Sequence, residues 1–203
     1  DRIAFAEFVV TVRRSINALG FPVSVALAPK TSDDQKGVLY EGKDYALLGE
    51  AADSVLLMTY EWGYTYSVPM AVAPVDKVRR VVEYALTRIP AAKIDLGIPN
   101  YGYDWPLPYV SGITRATSIG NITARERAVE NGAVIQFDET AKSPWYTYEK
   151  DGVSHEVWFE DVRSYQAKFA LVNEYALRGI GFWQLMRENL PGFLLMSGTF
   201  WIR

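Results

Sequence analysis

The sequence predicts an α/β fold with parallel strands, and three observations support this prediction. Short apolar runs alternate with helical patterns along most of the chain, as expected when helices connect parallel strands. Three of these runs, 55–62, 94–105 and 179–185, end in aromatic and polar residues. In parallel α/β folds the carboxyl ends of the strands carry the functional groups. We therefore expect a site at one edge of the sheet.

The first hundred residues contain a regular alternation of elements. A helix over 2–19 has Asp1 as its candidate N-cap and Gly20 just past its end. The further predicted elements are a strand over 21–29, a loop over 30–42, a helix over 43–51, a strand over 54–60, a helix that starts at Pro74 and ends at Pro90, and a strand over 93–98.

The alternation stops after Trp105 and resumes near residue 161. Between these points we expect a small α+β insertion, with a helix near 123–131, a strand over 133–137 and a hairpin over 145–159 around an Asp-Gly turn. A helix over 161–178, a strand over 179–185 and a helical tail complete the chain. The sequence thus divides into 1–104 (βα units), 105–160 (insertion) and 161–203 (last βα unit and tail), within one structural domain.

Composition narrows the class of protein. With 203 residues, 49% hydrophobic and 14% aromatic, the chain suits a folded domain with a sizeable core. A net charge of −3 with interspersed signs gives no indication of nucleic-acid binding, and no apolar run approaches the roughly 18 residues of a membrane span. There is no cysteine, and His155 is the one histidine. We interpret it as a surface residue on the polar face of a strand and expect no metal site.

The strand count leaves two architectures open. Four strand–helix units are half of the eight that a closed barrel needs. The sheet is therefore either an open, doubly wound one or part of a larger barrel. In either case its outer strands have unpaired edges, which natural proteins usually cover.

An ordered set of motifs resembles one known family. Met58-Thr-Tyr-Glu61, then 97–103 (Gly-Ile-Pro-Asn-Tyr-Gly-Tyr), then the insertion and then Gly181-Phe-Trp-Gln184 resemble the second half of a glycoside hydrolase family 18 barrel. Ala28-Pro-Lys-Thr31 and Met70-Ala-Val-Ala-Pro74 resemble the bacterial spore cortex and cell-wall members, which often carry LysM modules. The resemblance implies a (β/α)8 TIM-barrel fold, with this chain forming about four βα units of its second half.

The chain also departs from the family pattern. The family's Asp-x-x-Asp-x-Asp-x-Glu run, whose glutamate protonates the leaving oxygen, does not occur in this sequence. We therefore expect that the catalytic acid lies upstream, that the chain is a fragment carrying half of the active site, and that it is inactive by itself.

The resemblance assigns roles to eight residues. Family 18 enzymes use the N-acetyl group of the substrate as nucleophile, and the family's tyrosine and acidic residue at this strand end correspond to Tyr60 and Glu61. These two are the predicted catalytic residues, although a capped loop start would also explain them. The predicted substrate-binding residues are Met58, Trp62, Tyr101, Tyr103, Asp104 and Trp183. The resemblance implies no metal and no cofactor.

Two functions remain open from the sequence. The first is a retaining glycosidase acting on a β-linked N-acetylglucosamine polymer, either peptidoglycan, spore cortex or a chitin-like glycan. Such a protein would be secreted and associated with the bacterial cell wall or spore, without nucleic-acid or membrane partners. The alternative is a non-catalytic, chitinase-like glycan-binding module. Two copies could also form a homodimer by pairing their open strand edges.

Overall fold

The computed structural model describes residues 1–202, in which helices and strands alternate as far as β3. In chain order the elements are α1 (Arg2–Asn17), β1 (Ser24–Leu27), α2 (Tyr45–Ala51), β2 (Ser54–Leu57), α3 (Val75–Leu86), β3 (Ile94–Pro99), β4 (Gly102–Pro106), β5 (Thr117–Ile119), α4 (Asn121–Glu130), β6 (Gln136–Asp138), β7 (Ser143–Lys150), β8 (Val153–Trp158), α5 (Val162–Glu174), β9 (Gly179–Trp183) and α6 (Leu190–Thr199). The described residues form two compact units.

The first unit comprises residues 1–59, 78–97 and 171–181. Its centre is a four-stranded parallel sheet in the order β1-β2-β3-β9, whose third and fourth strands continue into the second unit. Leu27 pairs with Leu57 and Leu57 pairs with Leu96, and all three side chains are fully buried. This sheet confirms the predicted α/β class.

Local sequence explains where the helices of the first unit begin. The Asp1 carboxylate accepts hydrogen bonds from the backbone N–H groups of Ile3 (2.9 Å) and Ala4 (3.3 Å), which confirms the predicted N-cap of α1. Asp44 caps α2 in the same way through the N–H of Leu47 at 3.0 Å. Each cap satisfies backbone donors that lack partners inside the helix.

The second unit comprises residues 60–77, 98–170 and those from 182 onward. It contains an antiparallel sheet in the order β5-β4-β8-β7-β6. β7 and β8 form the predicted hairpin, and Asp151 (φ 52°) and Gly152 (φ 76°) adopt the left-handed backbone conformation of its two-residue turn.

Several predicted boundaries need correction. The strand predicted over 54–60 ends at Leu57, and β4 and β5 were not predicted. β4 pairs with β5 and β8, so the antiparallel sheet starts at Gly102 rather than after residue 105. The reason is tertiary: the Tyr-Gly-Tyr stretch has no strand pattern of its own and acquires one by pairing.

None of the helices within residues 1–202 combines the length and the apolar character that crossing a membrane requires.

Candidate active site

A fixed carboxylate is the central feature of the second unit. Glu61 is exposed, and its backbone adopts a left-handed conformation with φ 70°. The Tyr101 hydroxyl donates a hydrogen bond to Glu61 Oε1 at 2.5 Å. The Tyr103 hydroxyl lies 3.0 Å from Oε1 and 3.3 Å from Oε2. Non-glycine residues with positive φ are uncommon and concentrate at functional sites, so Glu61 has the setting of a functional group.

The loop that carries Glu61 folds back on itself. Trp62 donates its N–H to Val72 (3.1 Å) and Gly63 donates to Ala71 (3.0 Å). A Cβ atom at position 63 would lie 2.1 Å from the carbonyl oxygen of Met70, so only glycine allows this approach. The Met70–Pro74 segment, singled out in the sequence, therefore fixes the backbone next to Glu61.

The two tyrosines that hold Glu61 are placed by the start of β4: Tyr101 directly precedes this strand and Tyr103 lies in it. Tyr101 and Tyr103 are two residues apart and thus point to the same side. Their rings are 5% and 6% exposed and meet edge to face, with centroids 5.8 Å apart. Gly102, between them, lies so close to β8 that a Cβ would be 2.3 Å from the Trp158 carbonyl oxygen. Burial of both rings leaves little freedom for the hydroxyls, so the carboxylate position is well defined.

Burial and the carboxylate keep these phenols protonated. Desolvation, followed by the hydrogen bond and charge of Glu61, raises the pKa of Tyr101 well above its usual value. Desolvation and then the Glu61 charge raise the pKa of Tyr103 to about 12. The pKa of Tyr60 is also raised, first by burial and second by Glu61. All three groups therefore remain hydrogen-bond donors near neutral pH.

The other predicted site residues that follow β2 differ in their burial and contacts. The half-buried Tyr60 packs against the aromatic cluster that contains Tyr101 and Tyr103. Trp62 is half-buried in the same unit. Met58 belongs to the first unit, where it is half-buried and donates its N–H to the Leu27 carbonyl at 2.9 Å.

Hydrogen bonds to the backbone connect the Trp183 segment to Asn100, the residue before Tyr101. The N–H of Asn100 donates to the Trp183 carbonyl at 2.7 Å, and the Asn100 amide donates to the carbonyls of Gln184 (3.3 Å) and Arg187 (2.6 Å). The Trp183–Gln184 peptide bond is cis. The indole is 55% exposed. Among residues 1–202 no aromatic contact joins this indole to Tyr60 or Tyr101, and the predicted substrate-binding role of Trp183 stays a prediction.

Asn100 was missed by sequence reasoning. It is fully buried, and its Oδ1 is 3.3 Å from both the Asn121 amide and the Tyr165 hydroxyl. An asparagine directly after an apolar strand is the signal that could have indicated such an anchor, because a buried amide needs several partners.

Comparison with known proteins establishes the family. The family model described as "Glycosyl hydrolases family 18" matches residues 1–188. The chain belongs to glycosyl hydrolase family 18.

Relatives with known names agree with this assignment. The chain is 48% identical over 201 residues to the "Cortical fragment-lytic enzyme" of Bacillus subtilis (strain 168), covering 98% of this chain and 47% of that protein. The crystal structure of the Bacillus megaterium spore cortex-lytic enzyme SleL matches with a TM-score of 0.94 and 43% identity, over 100% of this chain and 47% of that one. A chitinase from Chromobacterium violaceum matches with a TM-score of 0.89 and 31% identity, over 97% and 61%. The fold is thus of the family's TIM-barrel type, and the chain spans about half the length of the curated relatives it matches.

Asp104, one of the predicted substrate-binding residues, has a buried carboxylate. Asp104 is 3% exposed. Its Oδ1 lies 2.7 Å from His155 Nδ1, and its Oδ2 accepts from Tyr148 (2.6 Å) and pairs with Arg127. Both oxygens are therefore engaged inside the unit. The substrate-binding role predicted for Asp104 stays a prediction without support from this geometry.

The same cluster corrects the interpretation of His155. The sequence predicts a surface histidine, but its side chain is 21% exposed and its ring stacks on Tyr148 with centroids 4.8 Å apart. The alternating strand pattern was right, but the outer face of this strand is covered by partners that the sequence pattern does not reveal. His155 is thus a partner of a buried carboxylate.

The substrate-binding role predicted for Tyr101 and Tyr103 stays a prediction. In the structure both hydroxyls donate to Glu61. Residues 1–202 contain no cluster of three or more histidine, aspartate or glutamate side chains that could hold a metal ion.

Proposed function

We propose that this chain forms part of a retaining, substrate-assisted glycoside hydrolase that acts on a β-linked N-acetylglucosamine polymer. Peptidoglycan or spore cortex is the preferred substrate class, and chitin-like glycans are the second. Membership of family 18 and the similarity to cortical fragment-lytic enzymes support the proposal. The single observation that carries it is the Glu61 carboxylate, exposed yet held by two buried phenols beside Tyr60.

The role proposed for Tyr60 is to hold the substrate's acetamido group. In substrate-assisted hydrolysis the acetamido carbonyl oxygen attacks the anomeric carbon. A phenol O–H that donates to this oxygen orients it for attack. The raised pKa of Tyr60 supports this role, because the hydroxyl keeps its proton throughout the neutral range.

The role proposed for Glu61 is electrostatic. Attack by the acetamido oxygen generates a positively charged, oxazolinium-like intermediate. A carboxylate that is already fixed stabilises this charge without reorganising. Tyr101 and Tyr103 are positioning residues in this proposal, because their hydroxyls hold the carboxylate rather than the sugar.

The proton donor is proposed to lie outside these 203 residues. The sequence contains no Asp-x-x-Asp-x-Asp-x-Glu run, and the chain spans about half the length of its relatives. The chain by itself should therefore bind glycan without cleaving it. Trp183 is proposed to stack its exposed indole on the apolar face of a sugar ring, with Trp62 of the same unit as a further contact.

Calorimetric titration with tetra-N-acetylchitotetraose tests the binding part of the proposal. Tyr60→Phe is expected to weaken binding about tenfold, the value of one lost hydrogen bond to a polar ligand. Tyr40→Phe, in a loop of the first unit, is the matched control and should bind as the unmodified chain does. Equal affinity of the Tyr60→Phe and Tyr40→Phe variants would contradict the role of Tyr60.

Hydrolysis of peptidoglycan by the full-length protein tests the catalytic part. Glu61→Gln is expected to lower kcat by about 10²–10³-fold, comparable to the loss of one preorganised electrostatic group. Glu149→Gln, an exposed carboxylate on β7, serves as the charge-matched control. Turnover by the isolated chain that survives Glu61→Gln would overturn the assignment.

The absence of the acidic run supports one alternative, a non-catalytic glycan-binding module. Study of the full-length protein distinguishes the two functions. Glycan binding without turnover, in a protein that also lacks the Asp-x-x-Asp-x-Asp-x-Glu run, would favour the binding module. For either function we propose a secreted protein at the bacterial cell wall or spore. The similarity to cortical fragment-lytic and spore cortex-lytic enzymes supports the spore association.

A further inference from the structure

The exposed indole of Trp183 is followed by an irregular segment, 184–189, which connects β9 to α6. The Leu185 and Met186 side chains of this segment are 76% and 88% exposed. Exposed side chains make few packing contacts, so they contribute little to fixing the path of the backbone. We therefore expect that the polar contacts of the segment set its position.

Buried amide side chains hold both ends of this segment. At its start, the Asn100 N–H donates to the Trp183 carbonyl at 2.7 Å, and the Asn100 amide donates to the Arg187 carbonyl at 2.6 Å. At its end, Asn189 caps α6, because its Oδ1 accepts from the Gly192 N–H at 3.3 Å. Asn100 and Asn189 are both buried. The position of the segment thus depends on what fixes these two amides.

One phenol connects the two amides. The Tyr165 hydroxyl, on α5, accepts from the Asn189 amide at 2.7 Å and lies 3.3 Å from Asn100 Oδ1. It also accepts from the Asn121 amide at 2.8 Å, and this amide lies 3.3 Å from the same Oδ1 of Asn100. Its own proton can be donated to Asn100 Oδ1 or to the Pro99 carbonyl, 3.2 Å away. The hydroxyl therefore uses its donor and its acceptor capacity within this network.

The Tyr165 side chain itself has little freedom. It is fully buried, and its ring meets that of Phe182, the residue before Trp183, edge to face with centroids 5.8 Å apart. A Cβ atom at Gly192 would lie 2.9 Å from Tyr165 Cε2, so the start of α6 lies directly against the ring. Burial, and after it the charge of Glu160, raises the pKa of Tyr165 well above its usual value, so the hydroxyl keeps its proton.

We propose that Tyr165 is a positioning residue that sets the Trp183 indole for glycan binding by holding both ends of the segment that follows it. The inference rests on the proposed function, because it assumes that Trp183 stacks on a sugar ring. It adds that glycan affinity depends on a buried hydroxyl that does not touch the sugar. The physical reason is that a binding group fixed in advance loses less conformational freedom when the ligand binds.

A double-mutant cycle with Trp183 tests the proposal, with calorimetric titration of the full 203-residue chain with tetra-N-acetylchitotetraose as the measurement. Tyr165→Phe keeps the ring and removes the hydroxyl, and we expect it to weaken binding about three- to tenfold, as lost preorganisation of one side chain would give. In a Trp183→Ala background the same substitution should have no further effect, because it acts through the indole. An equal loss in both backgrounds would indicate a merely structural role and would overturn the proposal.

Tyr146→Phe is the matched control. Tyr146 belongs to the same unit, is fully buried, and its hydroxyl donates to the Ala124 carbonyl at 2.7 Å. This variant also loses a buried hydrogen bond, but it should retain the glycan affinity of the unmodified chain. Equal weakening by Tyr146→Phe and Tyr165→Phe would reflect general loosening of the unit and would contradict the inference.

A second variant serves if Tyr165→Phe does not fold. Asn189→Ser retains an oxygen suited to capping α6, but the serine side chain is too short to reach the Tyr165 hydroxyl. We expect a smaller loss of glycan affinity than for Tyr165→Phe, again only when Trp183 is present. Unchanged affinity in Asn189→Ser overturns the proposal.

Hydrogen–deuterium exchange followed by mass spectrometry measures the positioning without glycan. Tyr165→Phe should speed exchange of the backbone N–H groups of 184–189 more than that of the β7–β8 hairpin, whereas Tyr146→Phe should not. Unchanged exchange in 184–189 overturns the inference whatever the titrations give.

The titrations also separate this inference from the proposed function. Chitotetraose binding that requires Trp183 but is unchanged in Tyr165→Phe overturns this inference alone. Failure of the unmodified chain to bind chitotetraose overturns the proposed function, and this inference with it. Binding that does not depend on Trp183 overturns the role proposed for that indole and therefore the positioning role of Tyr165.

Discussion

Glu61 and Asp104 are two carboxylates of the same unit with opposite surroundings. Asp104 is 3% exposed, and Arg127, His155 and Tyr148 together occupy its two oxygens. Within residues 1–202, the exposed Glu61 side chain accepts hydrogen bonds from the hydroxyls of Tyr101 and Tyr103 alone. A saturated, buried carboxylate stabilises the fold, whereas a fixed carboxylate with an open side can act on a ligand. The comparison separates a carboxylate whose oxygens are occupied by partners in the same unit from one that remains open to a ligand.

The largest expected difference between Asp104 and Glu61 is in how much each carboxylate contributes to the free energy of unfolding. Asp104→Ala should lower the free energy of unfolding by about 3–5 kcal/mol, because it leaves Arg127 and His155 without their buried partner. Glu61→Ala should change it by no more than about 1 kcal/mol, since the freed phenols can reach water. Urea unfolding followed by circular dichroism measures both. Similar losses for the two variants would remove the distinction.

A third carboxylate sharpens the comparison through its pH dependence. Glu160 is 1% exposed and lies 2.8 Å from Lys168, while its Oε1 has no hydrogen-bond partner among the described residues. Burial raises the pKa of Glu160, against the opposing charge of Lys168. The folded state therefore binds its proton more tightly than the unfolded state does.

The sign of this effect gives a second prediction. The stabilisation from protonated Glu160 is complete below the unfolded-state pKa of about 4.3 and is lost as the pH rises through the higher folded-state pKa. Glu160→Gln, which is uncharged at every pH, should remove this pH-dependent component. Unfolding curves at pH 4.5 and 7.5 measure the change. An identical pH dependence in the Glu160→Gln variant and the unmodified chain contradicts the prediction.

A smaller effect should distinguish the two phenols that hold Glu61. Tyr101 makes the shorter hydrogen bond to Glu61, and its pKa is raised further above the usual value than that of Tyr103. Tyr101→Phe should therefore weaken glycan hydrolysis by the full-length protein more than Tyr103→Phe does, each by about 3–30-fold. The expected loss is in kcat with little change in KM, because neither hydroxyl is proposed to touch the sugar. A loss confined to KM would instead support the direct substrate contact that the sequence predicts for them.

The smallest expected effect concerns self-association. The edge strand β1 has exposed residues at its first and third positions, and open edges can pair with another chain. We predict a weak, concentration-dependent homodimer of the isolated chain, measurable by sedimentation. Ala26→Pro would block edge pairing because it removes a backbone N–H, while Ala26→Ser keeps this N–H and leaves the edge intact. A monomer at all concentrations contradicts this prediction.

The sequence by itself determined the alternation of strands and helices, the N-cap at Asp1, the Asp151-Gly152 hairpin and the family motifs around Tyr60 and Glu61. These features depend on local periodicity, capping and turn chemistry, which neighbouring residues specify. Only the tertiary structure decided that Tyr101 and Tyr103 hold Glu61, that Asn100 anchors the Trp183 backbone and that Asp104 and His155 form a buried pair. These partners are between 40 and 83 positions apart in the sequence, and no local pattern specifies which distant polar groups will meet when a chain buries them.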